Sequence, residues 1–295
     1  MAAVSDNRPR WRTMSPAQLE REYSPSSAIG GDYAPYIRDY RAGSDRARAA
    51  CRRVETLAYG DRPSNSIDIA LPDDGKNCPL LVYIHGGYWQ ELSKIESFCG
   101  ADRFCERGIA YAAVDYTLAP HAGLSEIVQE CRCALETLFG HAGALGIDAG
   151  RIFVAGSSAG GHLAAMCCCA PPGDAQGTRR RIAGAVLLSG VYELEPLVQT
   201  SINDAVGMTV EEARLNSPLL LDPAAFPDAL VTWGEQETAE FKRQSLAFGR
   251  RLKSPARSVR TFESRSRNHF DLVHDMYDPG TELGKSILDL VGEGR

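Results

Sequence analysis

Residues 151–163 read RIFVAGSSAGGHL, and this stretch decides how the rest of the chain is interpreted. Residues 152–155 form a short apolar run that predicts a buried β-strand. GSSAG follows at residues 156–160 and matches G-x-S-x-G, and the small residues after it favour a helix. A serine on a sharp strand-to-helix turn needs tiny neighbours, because its backbone is strained and the two elements pass close together. We therefore predict that Ser158 lies at the tip of such a turn, beside a helix N-terminus.

A glycine-rich turn that merely contains serines is the alternative, since composition alone gives this motif in roughly one chain in ten of this length. An activated serine also needs a base, a group that fixes the tautomer of the base, and donors for a negatively charged oxygen. The amide of Ala159 at the helix N-terminus is the first candidate donor. The rest of the chain must supply the other groups.

Composition narrows the class of protein. The chain has 295 residues, of which 44% are hydrophobic and 24% charged, as is ordinary for a soluble globular enzyme with a sizeable core. A net charge of −6 without a long basic run argues against nucleic acid and anionic membranes as partners. The first residues lack the apolar region of a secretory signal, and no apolar run approaches the ~20 residues of a membrane-spanning helix. We expect a cytoplasmic protein.

The nine cysteines do not look like a disulfide framework, because their number is odd and they are scattered. Cys167, Cys168 and Cys169 are adjacent, and Cys131 and Cys133 are two residues apart. Neither spacing suits a zinc site. We interpret them as buried apolar thiols and expect no metal.

The chain divides into an N-terminal helical arm, residues 1–50, and a single α/β domain, residues 51–295. Ser15 begins a capping-box pattern that predicts a helix to about Tyr23, and residues 33–53 predict a second helix. The arm could pack over the catalytic face or form the contact of a homodimer, and the sequence leaves both open.

In the domain, strands alternate with helices, which predicts a mostly parallel sheet covered on both faces. The first two strands read as an antiparallel pair. The stretch 190–228 is less regular, with one capped helix near Thr209. Strands are expected at 54–59, 66–70, 80–84, 109–114, 152–155, 182–188, 229–233 and 258–262, and the longer helices at 93–107, 124–145, 239–252 and 282–291.

Three histidines follow Ser158 and could act as its base. Where a serine lies on this kind of turn, the acid and then the histidine follow it in chain order. His162 lies on the helix after the serine and points along it, and His274 falls one turn beyond His269. His269 comes just after the last predicted strand, at the end of the sheet where Ser158 is also expected. We therefore favour His269 as the base.

The acid should follow the strand 229–233, where Glu235, Glu237 and Glu240 compete. All three could simply be solvated charges near a helix N-terminus, where negative charge is favourable. Glu237 lies where the loop should turn towards the histidine, so we favour it. Glu235 and Asp271 remain the alternatives.

Donors for an oxyanion are predicted directly after the buried strand 80–84. Gly86, Gly87 and Tyr88 can present backbone amides there, with Ala159 completing the set. Tyr88 and Trp89 would supply aromatic surface for a substrate at the mouth of the site. Ordinary packing is the alternative for Trp89.

Together HGGYW (85–89), VDYTLAP (114–120) and GSSAG (156–160) resemble the α/β-hydrolases, in particular the branch related to hormone-sensitive lipase. Within that branch the chain is most similar to the kynurenine formamidases. GEQETAEFKRQS (234–245) and NHFD (268–271) resemble their acid and histidine segments, and LEREYS (19–24) extends the likeness into the arm.

The resemblance implies an α/β-hydrolase fold with a small cover from the N-terminal arm and an inserted segment. It implies an acyl-enzyme mechanism with Ser158 as nucleophile, His269 as base and Glu237 as acid, without a metal or organic cofactor. The acid of the family is usually aspartate, so the extra methylene of Glu237 shifts the geometry.

The expected substrate is a small aromatic amide, such as the aryl formamide N-formylkynurenine. A carboxylesterase for short-chain acyl or aryl esters is the alternative. A non-catalytic binding protein of the same fold is a third hypothesis, which the presence of all three triad residues disfavours.

Overall fold

The computed structural model describes residues 10–169 and 182–292. The strands in this part of the chain are β1 Arg53–Ala58, β2 Ser66–Leu71, β3 Cys78–Ile84, β4 Ala110–Val114, β5 Ile147–Ser157, β6 Ile182–Leu188, β7 Asp228–Gly234 and β8 Val259–Ser264. The α-helices are α1 Pro16–Tyr23, α2 Ala34–Ala50, α3 Ala101–Cys105, α4 Leu124–Leu145, α5 Ala159–Cys168, α6 Asn203–Val206, α7 Val210–Leu215, α8 Ala239–Leu252 and α9 Glu282–Val291.

The strands form one sheet in the order β1-β2-β4-β3-β5-β6-β7-β8. β1 and β2 pair antiparallel, as expected, and β2 pairs antiparallel with β4. From β4 to β8 all neighbours are parallel. The expected mostly parallel α/β sheet is therefore confirmed.

Both faces of the sheet are covered by helices. Successive side chains of a strand point to opposite faces, so each strand contributes to both layers. In β3, Leu80 and Val82 pack in the layer that contains α4 and α5. Leu81 and Tyr83 pack in the opposite layer, with residues of α3 and α9. Burial on both faces explains why β3 is an unbroken apolar run rather than an alternating one.

The turn between β5 and α5 brings two backbones into contact. A Cβ at Gly160 would lie 2.0 Å from the carbonyl oxygen of Ile84, and one at Gly156 would lie 2.2 Å from that of Gly160. Only glycine fits at either position. Ser158, at the tip, has φ 59° and ψ −124°, a conformation that side-chain-bearing residues rarely adopt. The predicted strained turn is thus present.

The described part of the arm, residues 10–50, packs on the domain. α1 begins with the expected capping box at Ser15 and buries Leu19 and Tyr23. The second predicted helix is α2, which ends at Ala50 rather than at residue 53.

The helix expected at 93–107 is wrong, because only Ala101–Cys105 is helical. Gly100 has φ 83°, and a Cβ on it would lie 2.2 Å from the ring of Tyr277. This close contact and left-handed backbone stop the helix from extending towards residue 93. The segment before it forms a loop, in which Ser97 Oγ donates to the Ser93 carbonyl at 2.6 Å.

The contact at Gly160 generates a stability prediction. Gly160→Ala should lower the free energy of unfolding by about 3 kcal/mol or prevent folding, because the methyl group would overlap backbone atoms. Gly140→Ala in α4 is the matched control, since a Cβ there meets nothing within 4 Å. It should be neutral or stabilising by up to ~1 kcal/mol. Urea denaturation measures both, and equal stabilities of the two variants would contradict the prediction.

Candidate active site

Ser158 and His269 line the same cavity, which has a volume of about 310 Å³. Ser158 is 9% exposed and His269 is 5% exposed. The amide of Ser158 donates to the Leu188 carbonyl at 2.9 Å, so the serine is fixed to the end of β6. The loops after parallel strands meet at the carboxyl edge of the sheet, and this shared edge brings the two residues together.

Glu237 is the carboxylate that contacts the histidine. Its Oε2 lies 2.9 Å from Nδ1 of His269. Glu235 is exposed and accepts from the amide of Ser266. Glu240 pairs with Arg243, and Asp271 accepts from the amide of Asn268. Among the four candidate acids, the structure brings only Glu237 to His269.

Two groups that the sequence analysis missed hold the other oxygen of Glu237. Oε1 accepts from Ser189 Oγ at 2.5 Å and from the amide of Gly234 at 2.5 Å. Ser189 is fully buried and directly follows β6, at the edge of the sheet where the triad candidates meet. The sequence signal that could have identified Ser189 is its position directly after a predicted strand. Hydrogen bonds of this kind compensate for burying the carboxylate.

Among the described residues, one ring nitrogen of His269 is bonded and the other is not. When Nδ1 donates its proton to Glu237, Nε2 carries a free lone pair. In the described part of the chain, Nε2 is buried and has no hydrogen-bond partner. Because His269 lines the cavity with Ser158, this nitrogen is available for the serine hydroxyl.

The loop after β3 passes against the serine. A Cβ at Gly86 would lie 2.8 Å from the Ser157 carbonyl oxygen and 3.1 Å from Ser158 Cβ. Gly87 has φ 90° and Tyr88 has φ 48°, so the loop is tightly folded. Within residues 10–169 and 182–292, the amides of Gly87, Tyr88 and Ala159 have no backbone acceptor. These amides are therefore available to an oxyanion.

Tyr88 and Trp89 occupy different environments. Tyr88 lines the cavity, and its hydroxyl donates to the Tyr23 carbonyl at 2.5 Å. Trp89 is fully buried, does not line the cavity, and packs edge-to-face on His162 with ring centroids 5.1 Å apart. The expectation that Trp89 lies at the mouth is wrong, because its φ of 61° turns the side chain into the core.

Aromatic side chains dominate the cavity wall. The arm contributes several of them, and others come from the loops and from the underlying sheet. They are Tyr23, Tyr33, Tyr40, Tyr83, Tyr88, Phe104, Tyr111, Phe270 and Tyr277. The arm therefore forms part of the wall, which the sequence left open.

The other two histidines are held away from the serine hydroxyl. His162 is fully buried on α5, and its Nε2 donates to the Asn216 carbonyl at 2.7 Å. Nδ1 of His274 bonds with the hydroxyl of Tyr277 at 2.5 Å. Neither residue lines the cavity.

The prediction of buried thiols is confirmed for four of the five cysteines and is wrong for Cys133, which is only partly buried. Cys131, Cys167, Cys168 and Cys169 are buried, and burial raises the pKa of the Cys167 thiol to about 12. No group of three or more possible metal ligands occurs in the described ranges. Nor does any helix there have the length and apolar character needed to cross a membrane.

Known proteins share this architecture. The BD-FAE family profile matches residues 67–191. Kynurenine formamidases of Danio rerio and Salmo salar are each 30% identical to the chain over 96% of its length and 99% of theirs. A solved Silicibacter structure, described as a thioesterase, superposes with a TM-score of 0.81 at 28% identity, covering 92% of this chain and 98% of its own. An esterase of Pyrobaculum calidifontis has a TM-score of 0.70 at 20% identity, covering 88% and 92%, and shares the fold.

The environment of His162 generates a prediction about pH. Burial lowers its pKa to about 4 from an ordinary 6.5. Below pH 6.5 the unfolded chain binds a proton that the folded chain does not, so stability falls between pH 6.5 and pH 4. The loss from this residue should approach roughly 3 kcal/mol at pH 4, and it should be absent above pH 6.5.

Urea denaturation of wild type and His162→Gln at pH 7 and pH 4.5 measures this effect. The stability advantage of wild type should shrink at the lower pH. His121→Gln, which changes an exposed histidine, is the control. A difference between wild type and His162→Gln that does not vary with pH would contradict the prediction.

Proposed function

Because the chain belongs to the kynurenine formamidase family of α/β-hydrolases, we propose that it is a serine hydrolase that cleaves an aryl formamide such as N-formylkynurenine. One observation carries the proposal: the Glu237–His269 pair and Ser158 meet at an aromatic-walled cavity. Acyl transfer requires a serine nucleophile, a histidine base and a carboxylate that holds the histidine in one tautomer. These three residues can fill those roles.

In the proposed reaction, Ser158 Oγ attacks the formyl carbon while His269 Nε2 takes the hydroxyl proton. The carbonyl oxygen becomes negative and accepts hydrogen bonds from the amides of Gly87, Tyr88 and Ala159, with Gly86 shaping the turn. The carbon–nitrogen bond then breaks, and the arylamine leaves with the proton from His269. Water, deprotonated by His269, hydrolyses the formyl-enzyme and releases formate.

Glu237 supports these steps without giving up its own charge. It keeps the proton of neutral His269 on Nδ1 and stabilises the imidazolium that forms when Nε2 is protonated. The bonds from Ser189 and Gly234 prevent the carboxylate from rotating away.

Each oxyanion donor contributes on the order of 3 kcal/mol to lowering the barrier.

The shape and lining of the cavity support an aromatic substrate with a small acyl group. Aromatic rings favour an aryl leaving group through stacking and edge contacts. Tyr33 and Tyr40 of the arm enclose the cavity on one side, so the arm acts as a cover within its own chain. A cavity of about 310 Å³ is at the small end for binding sites and suits a compact molecule better than a long acyl chain.

A carboxylesterase for short aryl esters is the second candidate, and the charges around the cavity favour it. Glu20, Glu91 and Glu96 line the wall, whereas no lysine or arginine of the described residues does. N-formylkynurenine carries an α-ammonium group, which these glutamates would attract, and an α-carboxylate, which would gain no cationic partner from the residues of the wall. A neutral aryl ester would not need one.

The triad assignment predicts a contrast between two neighbouring glutamates. Glu237→Gln should lower kcat/KM by on the order of 10³–10⁴-fold, because the amide no longer stabilises the correct tautomer and the imidazolium. Glu235→Gln should stay within about threefold of wild type, since Glu235 contacts the amide of Ser266 rather than the histidine. Ser158→Ala sets the zero level and should lose labelling by a fluorophosphonate. An inactive Glu235 variant with an active Glu237 variant would overturn the assignment.

The substrate assignment predicts a ranking of kcat/KM. N-formylkynurenine and other N-formyl aryl amides should be cleaved faster than acetyl esters, and activity should fall as the acyl chain lengthens. Formanilide, which lacks the α-amino acid group with both of its charges, is the comparison substrate. If an aryl acetate matches or exceeds both formamides, the formamidase assignment fails and the esterase takes its place. Similar rates for formanilide and N-formylkynurenine would show that the missing cation is unimportant.

A further inference from the structure

Three tyrosines of the arm lie along one side of α2 and face the loop that carries His269. Tyr33 precedes the helix, and Tyr36 and Tyr40 follow at intervals of three and four residues, which place side chains on one helical face. The Tyr33 ring stacks on Phe270 with centroids 5.5 Å apart, and the Tyr36 ring stacks on Phe270 at 5.4 Å. The residue directly after the proposed base is thus held by two rings of the arm.

Polar contacts hold both neighbours of His269. Nδ2 of Asn268 donates to the hydroxyl of Tyr36 at 2.9 Å. The hydroxyl of Tyr40 donates to the carbonyl of Phe270. Residues 268 and 270 are therefore each tied to α2, while His269 itself bonds to Glu237 on the domain.

Asn268 also determines the shape of the loop. Its Oδ1 accepts from the amides of Phe270 at 2.8 Å and Asp271 at 3.1 Å. The amide group of Asn268 can do this only if the oxygen points towards the loop and the nitrogen points away. The two backbone amides set that orientation, and the nitrogen then donates to the hydroxyl of Tyr36, which fixes the side chain of Asn268 to the arm.

We propose that Tyr36 is a positioning residue for His269, acting through Asn268 and Phe270. The inference rests on the proposed function, in which His269 is the base. The bond to Glu237 fixes one nitrogen of the ring, and Phe241 packs edge-to-face on the ring with centroids 4.6 Å apart, but both contacts are made by the side chain. The arm restrains the chain on both sides of His269, which would keep Nε2 at a fixed position in the cavity that Ser158 also lines. Misplacement by about 1 Å can cost up to 10²-fold in rate.

Tyr36 differs from its neighbours because it is not among the residues that line the cavity, whereas Tyr33 and Tyr40 are. A substitution at Tyr36 therefore tests positioning without removing a group from the cavity wall. A positioning role should change kcat and the reactivity of Ser158, and it should leave KM nearly unchanged.

Tyr36→Phe removes the acceptor for Asn268 and keeps the stacked ring. We expect kcat for the preferred substrate to fall about 10-fold, KM to stay within about twofold, and the rate of Ser158 labelling by a fluorophosphonate to fall in parallel with kcat. Tyr59→Phe is the matched control. Tyr59 also accepts from an asparagine, Asn65, and donates to a backbone carbonyl, that of Asp115, but it lies outside the cavity. Tyr59→Phe should be labelled by the fluorophosphonate, and should turn over the substrate, at the rate of wild type.

A double-mutant cycle separates positioning from general destabilisation. In the Asn268→Ala background, Tyr36→Phe should have no further effect on the labelling rate, because the two residues act through one contact. Thermal unfolding of each variant sets an assay temperature at which all are folded. Additive effects of the two substitutions, or wild-type kcat in Tyr36→Phe, would overturn the inference.

The wild-type protein and the Tyr59→Phe control also distinguish a failure of this inference from a failure of the proposed function. If wild type itself is not labelled at Ser158, the proposed function fails. If wild type and Tyr59→Phe are labelled and Tyr36→Phe is labelled equally fast, only the positioning role fails. An increase in KM with unchanged kcat would assign Tyr36 to binding instead, and would equally overturn the positioning role.

Discussion

The close contact between the backbones of Gly160 and Ile84 is the constraint on which the site depends. With 2.0 Å between a Cβ at residue 160 and the Ile84 oxygen, α5 can begin against the end of β3 only if residue 160 is glycine. The chain must then turn sharply at Ser158, which accounts for its φ of 59°. β3 continues directly into the loop of Gly86–Tyr88, and a Cβ at Gly86 would lie 3.1 Å from Ser158 Cβ, so this loop also lies against the turn. The proposed nucleophile and the loop proposed to bind the oxyanion thus meet at the end of β3.

The fold also holds the buried side chain of Glu237, the proposed acid, which is one methylene longer than aspartate. A buried carboxylate is costly unless its oxygens are bonded, and here one oxygen takes Ser189 Oγ and the Gly234 amide while the other faces His269. Ser189, which directly follows the neighbouring strand β6, supplies one of these bonds. Ser189 itself adopts φ 48°, a strained conformation that places its hydroxyl there.

Features set by local sequence were predictable, and features set by distant contacts were not. Periodicity and glycine placement gave the sheet, the turn at Ser158 and helices such as Ala239–Leu252, because burial and backbone sterics act locally there. The helix expected from residue 93 failed because Gly100 lies under Tyr277, some 180 residues later in the chain. Trp89 was misplaced because a positive φ reverses the direction of a side chain, which composition does not reveal. Ser189 was missed since its partner, Glu237, is remote in sequence.

The loop that carries His269 lies at the edge of the sheet, where the N-terminal arm contacts it. Among the residues that the structure describes, β8 is the last strand of the sheet and pairs with β7 alone, so the loop after it has no neighbouring strand on its outer side. α2 supplies the missing support through Asn268 and Phe270. The loop of Gly86–Tyr88 is tied to the same arm, since the Tyr88 hydroxyl donates to the Tyr23 carbonyl. Tyr23 in turn donates to Glu240, which is paired with Arg243 in the core. An arm that only covered the cavity would need none of these bonds. Under the proposed function these two loops carry the base and the oxyanion donors, so the attachment of the arm to the domain would help to hold the geometry of the site.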